Sequence, residues 1–201
     1  MNARKVVPAL RKREDTVAHK RFRSKSSKIA RVRFAAARMR LLDVNRWSDY
    51  ARFSNFQLVD ESGNAVHKHA EEGLLVRINT PELGPRNGET YDWVVIESIT
   101  YDNEDTFVGV RVRPTHAPGK SEQEISHLNT PDSSNNFTLE RKNNLIIAKV
   151  IGCKAVTNTE HSSFVEKIRH LTTSQVAWLG GSTTQWEVFL EGIVNGRESD
   201  P

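Results

Sequence analysis

The chain has 201 residues, enough for one domain with a sizeable core or for two very small ones. Hydrophobic residues make up 37% and charged residues 27%, and no apolar run approaches the roughly 20 residues of a membrane helix, so we expect a globular protein without a transmembrane segment. Cys153 is the only cysteine, which excludes an intrachain disulfide and a multi-cysteine zinc site and favours a reducing, cytoplasmic setting.

The net charge of +4 conceals a strong asymmetry along the chain. Residues 1–40 carry 14 Lys and Arg against only Glu14 and Asp15, a net charge of +12. Residues 41–201 hold 15 basic and 23 acidic residues, a net charge of −8. A basic segment joined to an acidic body is the strongest functional signal in the sequence.

Residues 1–27 are predicted to be a flexible basic arm. They contain few large apolar residues in no sustained period, so they bury too little surface to offset the entropy lost on ordering. A short helix over about residues 9–23 is expected only when a partner is bound. Residues 28–201 are predicted to form a single α+β domain.

Residues 28–44 are predicted to form an arginine-rich helix, capped by Ser26 or Ser27 and anchored by Trp47, which follows it. The helical period places its apolar residues on two stripes, which arginines separate. The stripe that we expect to dock on the body consists of Ile29, Val32, Ala36 and Met39. The second stripe consists of Phe34, Ala37 and Leu41, and the arginines are Arg31, Arg33, Arg38 and Arg40.

Residues 55–157 are β-rich. The stretches 91–101 and 106–114 alternate as strands and predict a hairpin across residues 102–105. A second hairpin is predicted over residues 136–156, turning at residues 142–144. A polar loop is expected over residues 115–134.

Residues 162–195 are predicted to be helical. Ser163 and Glu166 form a capping box, a double glycine interrupts the segment at residues 180–181, and Thr184 with Glu187 forms a second box. The last helix carries an apolar stripe that ends near Gly196; the stripe consists of Trp186, Phe189, Leu190, Ile193 and Val194.

This order of elements predicts an α+β fold: a curved, antiparallel sheet of about six strands, flanked by an N-terminal helix and one or two C-terminal helices. The layout resembles a helix-grip domain. The resemblance implies a curved sheet wrapped around a long C-terminal helix and, often, an apolar ligand held between them.

The basic segment is a candidate surface for binding a polyanion, because Lys and Arg side chains near phosphates release counterions. RNA or DNA is the expected partner. The candidate residues are Arg11, Lys12, Arg13, Lys20, Arg21, Arg23, Lys25, Lys28, Arg31, Arg33, Arg38 and Arg40.

The hairpin of residues 91–113 offers a second candidate surface. If the valines of the second strand enter the core, the other face of the hairpin carries Trp93, Glu97, Arg111 and Arg113. This face is suited to a ligand or a partner, but an ordinary solvent face with a Glu–Arg cross-strand pair explains it better.

The sequence offers no catalytic or metal-binding pattern. His67 and His69 lack a third ligand, Ser163 is better explained as a helix cap than as a nucleophile, and Cys153 lies in an apolar run typical of a buried thiol. We therefore expect a non-enzymatic protein with no cofactor and no metal.

Three functions are compatible with these patterns. The first is a binding module whose basic arm contacts nucleic acid or another polyanion. The second is a helix-grip-like domain that binds a small apolar ligand, and the third is a coat-like assembly protein with a charge-neutralising arm. Under the first, we expect deletion of residues 1–27 to abolish most of the polyanion affinity without unfolding residues 41–201. The oligomeric state does not follow from the sequence.

Overall fold

The computed structural model of the chain describes residues 14–51, 54–79, 91–120, 134–153 and 183–197. The described strands are β1 (Glu14–Arg23), β2 (Asn55–Val59), β3 (Leu75–Asn79), β4 (Asp92–Tyr101), β5 (Phe107–Pro114), β6 (Ser134–Lys142) and β7 (Leu145–Cys153). The described helices are α1 (Ser27–Leu42), α2 (Trp47–Ala51), preceded by a 3-10 turn at Val44–Arg46, and α3 (Thr183–Asn195).

The strands form one curved, antiparallel sheet in the order β1-β7-β6-β5-β4-β3-β2. Strands that follow one another from β2 to β7 are neighbours, and only β1 crosses over to pair with the last strand. The predicted α+β class is confirmed, with one strand more than expected. The two predicted hairpins are confirmed as β4–β5 and β6–β7.

The additional strand lies within the segment that was expected to be a flexible arm. Residues 14–23 form β1, which pairs with β7 from Glu14 opposite Cys153 to Arg23 opposite Leu145. For these residues the predictions of an unstructured arm and of a partner-induced helix are wrong. Pairing with β7 supplies backbone hydrogen bonds, and the burial of Ala18 adds apolar contact, which together offset the ordering entropy. Residues 1–13 lie outside the described residues.

Helix α1 begins where the sequence predicted. The N-cap is Ser26, whose hydroxyl accepts a hydrogen bond from the backbone nitrogen of Ile29 at 3.3 Å. Trp47 is buried behind the end of the helix and donates from its indole nitrogen to the carbonyl of Leu41 at 3.1 Å. The expectation that Trp47 anchors this helix is therefore confirmed.

The face by which α1 docks is the opposite of the predicted one. Ile29, Val32 and Met39 are 49%, 68% and 46% exposed. The buried residues of the helix are Ala30, Phe34, Ala37, Leu41 and Leu42. The buried stripe carries the bulkier side chains, whose burial is worth more, and helical periodicity alone does not rank two stripes of similar length.

Helix α3 buries the predicted stripe without exception: Trp186, Phe189, Leu190, Ile193 and Val194 are all buried. Its first described residue is Thr183, so Thr184 lies inside the first turn instead of capping it. The helix ends where expected, because Gly196 takes a positive φ of 73° and donates to the carbonyl of Gly192 at 2.8 Å. The predicted helical residues 162–182 lie outside the described residues.

Helices α2 and α3 approach one another most closely at Gly192. A Cβ atom built on Gly192 would lie 2.8 Å from Cδ1 and 2.9 Å from Cβ of the buried Tyr50. The glycine is therefore required by the approach of the two helices, and not by its own backbone angles.

We expect Gly192→Ala to destabilise the protein by about 1–3 kcal/mol through overpacking. This sign is the reverse of the usual gain of about 1 kcal/mol for Gly to Ala inside a helix. Urea unfolding monitored by circular dichroism measures the change. A double variant that also carries Tyr50→Ala separates the clash from other causes, because the Gly192→Ala penalty should disappear in that background. A stabilised Gly192→Ala single variant would contradict this packing.

Aspartates fix two of the turns, the predicted one at residues 102–105 and one at residues 60–64. The Asp102 carboxylate accepts backbone hydrogen bonds from Thr106 at 2.7 Å and Phe107 at 3.0 Å. Partial burial acts to raise the pKa of Asp102, but these hydrogen bonds and one from the Thr106 hydroxyl outweigh it and lower the pKa below its ordinary value. Asp60 accepts in the same way from the amide of Asn64 at 2.8 Å, which lowers its pKa.

Candidate ligand-binding interior and charged surfaces

The inner face of the sheet is mainly apolar from β2 to β7, and the described helices cover part of it. Residues opposite one another in adjacent strands share a face, and Val110, Phe137 and Val150 form one such row. The valines of β5 enter the core, which was the condition for placing the charged residues of the hairpin on its other face. The buried inner-face residues of β2 to β7 include Phe56, Leu58, Val76, Ile78, Val94, Ile96, Val108, Val110, Val112, Phe137, Leu139, Ile146, Ala148 and Val150.

Four aromatic side chains fill the space between this face and the helices. Phe137 of β6 lies at ring-centroid distances of 4.9 Å from Trp47, 5.5 Å from Trp186 and 5.9 Å from Phe189. Trp186 and Phe189 meet edge to face at 5.4 Å. None of the four is more than 2% exposed, so the described centre of the interior is closely packed.

The described helices cover the sheet unevenly. Helix α1 packs against β6 and β7, the 3-10 turn and α2 pack against β2, and α3 packs against β1 and β7. Within the described residues, no helix makes comparable contact with β3, β4 or β5. Among the described residues, the helices therefore cover the middle of the curved sheet less than its two sides.

The apolar inner face reaches solvent at one rim. Leu74 and Ile99 are only half-buried, yet both pack against the core. Their backbone is held in place, since Ile96 donates to the carbonyl of Leu74 at 2.9 Å and Ile99 donates to the Glu72 carboxylate at 2.8 Å. This rim is one place where described side chains of the apolar interior reach solvent; Phe22 and Val66 are likewise half-buried at the edge of the core.

The outer face of the β4–β5 hairpin brings together the four residues that the sequence placed there. Glu97 Oε2 lies 2.6 Å from Nε of Arg111, and its other oxygen pairs with Arg113. Trp93 lies on the same face, 6.4 Å from the ring of Tyr91. The cross-strand ion pair is thus present, and the role of this face as a ligand or partner surface stays a prediction.

A row of buried polar residues on the outer face of β6 was missed from the sequence. Ser134, Asn136 and Thr138 are all buried, and the Asn136 amide donates to Sγ of Cys153 at 3.3 Å. The sequence signal for this row is the alternation of its three residues with Asn135, Phe137 and Leu139. Such a pattern does not reveal that the polar side of the strand is buried. The expectation that Cys153 is a buried thiol is confirmed.

The arginine rows of α1 mainly hold the fold together. Arg33 bonds to the side chain of Asn195, and Arg40 donates to the carbonyl of Ile193 at 3.3 Å. Both acceptors lie at the C-terminal end of α3, whose last turn has no basic residue of its own, so α1 supplies the positive charge that the carbonyl end of that helix favours. Arg38 pairs with Asp105 in the β4–β5 turn.

The remaining candidate residues for polyanion binding differ in their surroundings: one is ion-paired, some are exposed and others lie outside the described residues. Lys20 pairs with Glu191 of α3 at 3.3 Å, and residues 11–13 lie outside the described residues. The exposed basic residues are Arg21, Arg23, Lys25, Lys28 and Arg31. Along an edge strand, exposed charges also discourage pairing with the edge of another chain. Nucleic-acid binding by these residues stays a prediction.

The described part of the chain contains no group of three or more His, Cys, Asp or Glu side chains able to hold a metal ion. None of its helices is long and apolar enough to cross a membrane.

No family model matches the sequence, and no curated protein matches it. Among solved structures, protein Ms6760 from Mycobacterium smegmatis is 13% identical with a TM-score of 0.41, covering 91% of this chain and 90% of its own. Ara h 8.0201 is 11% identical with a TM-score of 0.40, covering 88% and 97%. A START superfamily protein from Mycobacterium smegmatis is 9% identical with a TM-score of 0.37, covering 88% and 97%. Likenesses at this level carry no argument about function.

Proposed function

We propose that this protein binds a small apolar molecule at the inner face of its curved sheet. The observation that carries the proposal is the rim at Leu74 and Ile99, where the apolar inner face continues out of the packed core to solvent. Ligand sites in proteins are mostly apolar concave surfaces with few polar groups, and the inner face of this sheet has that composition.

The distribution of the helices supports the same proposal. Strands β3, β4 and β5 lie away from the described helices, and their own buried side chains, such as Ile96 and Val110, line this part of the interior. Side chains move more readily than a packed helix backbone, so a ligand entering at the rim meets a wall that can rearrange. Binding by this route requires no polar or catalytic group.

The proposal is tested with N-phenyl-1-naphthylamine, an uncharged apolar probe whose fluorescence rises in an apolar site. We expect saturable binding by the folded full-length chain, with quenching of tryptophan emission. Ile99→Asn should weaken binding at least about fivefold, because it places an amide in the apolar rim.

The matched control is Val95→Asn on the same strand. Val95 is also half-buried, but it lies on the outer face, opposite Arg113. Near-ultraviolet circular dichroism checks that both variants fold. Absence of saturable binding by the native chain, or equal weakening by the two variants, would overturn the proposal.

A further inference from the structure

The outer face of α1 carries an apolar ridge that the fold does not use. The ridge consists of Ile29, Val32, Ala36 and Met39, the stripe that the sequence predicted to be buried. Three of these side chains are exposed, and that of Ala36 is half-buried. The opposite face of the same helix packs into the core, so the ridge is separate from the proposed ligand interior.

The spacing of the ridge is that of a coiled-coil seam. Its residues follow one another at intervals of three, four and three, which are the a and d positions of a heptad repeat. The small Ala36 leaves room between Val32 and Met39 for a side chain of a partner helix. A face that inserts into a lipid surface is usually broader and contains Trp, Phe or Leu, none of which is present in this ridge. The pattern favours a helix as the occupant.

The charges around the ridge indicate which kind of partner helix would bind. Residues 16–42 contain no acidic residue, and Lys28 and Arg31 are exposed beside the ridge. Arg33 and Arg40 occupy the heptad positions e on its other side, where they are already bonded to Asn195 and Ile193 of α3 and add only positive potential. A second copy of this chain would bring like charges together, whereas an acidic helix would bring opposite charges together.

We propose that the outer face of α1 docks an acidic amphipathic helix of a partner protein. Apolar a and d residues of that helix pack between Val32 and Met39, and its flanking carboxylates lie near Lys28 and Arg31. The interaction adds a binding surface that is independent of the interior.

The test uses a synthetic peptide of about three heptads, with Leu at positions a and d and Glu at positions e and g. Its binding to the full-length chain is followed by fluorescence anisotropy at near-physiological salt. We expect saturable binding by the native chain. A matched peptide with Lys at positions e and g should bind at least about tenfold more weakly, since like charges then meet.

Two variants assign the binding to the ridge. Val32→Asn combined with Met39→Gln should weaken peptide binding at least about tenfold, and because both residues are exposed the variant should keep its unfolding temperature. The matched control is Val188→Asn on α3, where an apolar residue is 43% exposed on a different helix. This control should leave binding unchanged.

Other occupants are distinguished by the same variants. No peptide binding, equal binding of the two peptides, or unchanged binding by the double variant would overturn the proposal. Binding to phosphatidylglycerol vesicles that needs Val32 and Met39, without peptide binding, would overturn it in favour of a lipid surface. Concentration-dependent dimerisation that the double variant abolishes, again without peptide binding, would overturn it in favour of a second copy.

Discussion

Deleting residues 1–27 is expected to abolish cooperative folding, because it removes β1 from the sheet. The deletion breaks the ladder with β7, removes the buried Ala18 and exposes the edge of β7. Several ladder hydrogen bonds at a net value of about 1 kcal/mol each are comparable with the total stability of a typical domain, about 5–15 kcal/mol. A newly exposed strand edge also favours aggregation.

Urea unfolding and size-exclusion chromatography of the 28–201 fragment measure this effect. Deletion of residues 1–13 is the matched comparison, since it leaves β1 whole and isolates the contribution of the strand. A 28–201 fragment that stays monomeric and unfolds cooperatively at the same urea concentration as the full chain would contradict the role of β1. Any loss of polyanion binding on this deletion needs the same control, because unfolding would mimic it.

Phe137→Ala is expected to cost about 3–5 kcal/mol, the range for removing a fully buried aromatic ring. Phe137 is fully buried and lies within 6 Å of the rings of Trp47, Trp186 and Phe189, so the cavity would open at the centre of the interior. The surrounding tryptophans report the change through their near-ultraviolet circular dichroism.

Trp93→Ala provides the comparison for this variant. Trp93 is half-buried on the outer face of the sheet, so its loss should cost only about 1 kcal/mol. Chemical unfolding of both variants gives the two free energies. Similar losses for Phe137→Ala and Trp93→Ala would show that the aromatic interior is not the main support of the fold.

The residues of the charged outer face of β4–β5 were predictable from the sequence, whereas the rim of the proposed ligand site was not. Alternation in the sequence of β4 and β5 placed Glu97, Arg111 and Arg113 on one side, and the structure, with a register shift between Ile96 and Ser98, brings one carboxylate to both arginines. The exposure of Leu74 and Ile99 depends on where the helices end over the sheet, which no local pattern encodes.

The sequence by itself determined the elements whose periodicity is strong. Helix α3 buries the predicted stripe, and β4–β5 and β6–β7 turn where predicted, because each has an unbroken period and a clear turn signal. The α+β class followed from the order of these elements.

The tertiary structure alone decided two further features, the formation of β1 and the face by which α1 docks. Ala18, Lys20 and Phe22 alternate toward the inner face, a pattern too weak to predict a strand. Residues 14–23 become β1 because β7 offers an edge to pair with. Helix α1 has two apolar stripes, and the packing of Phe34 and Leu41 against the core chose between them. In both cases the deciding free energy comes from contacts distant in sequence, which local propensity does not contain.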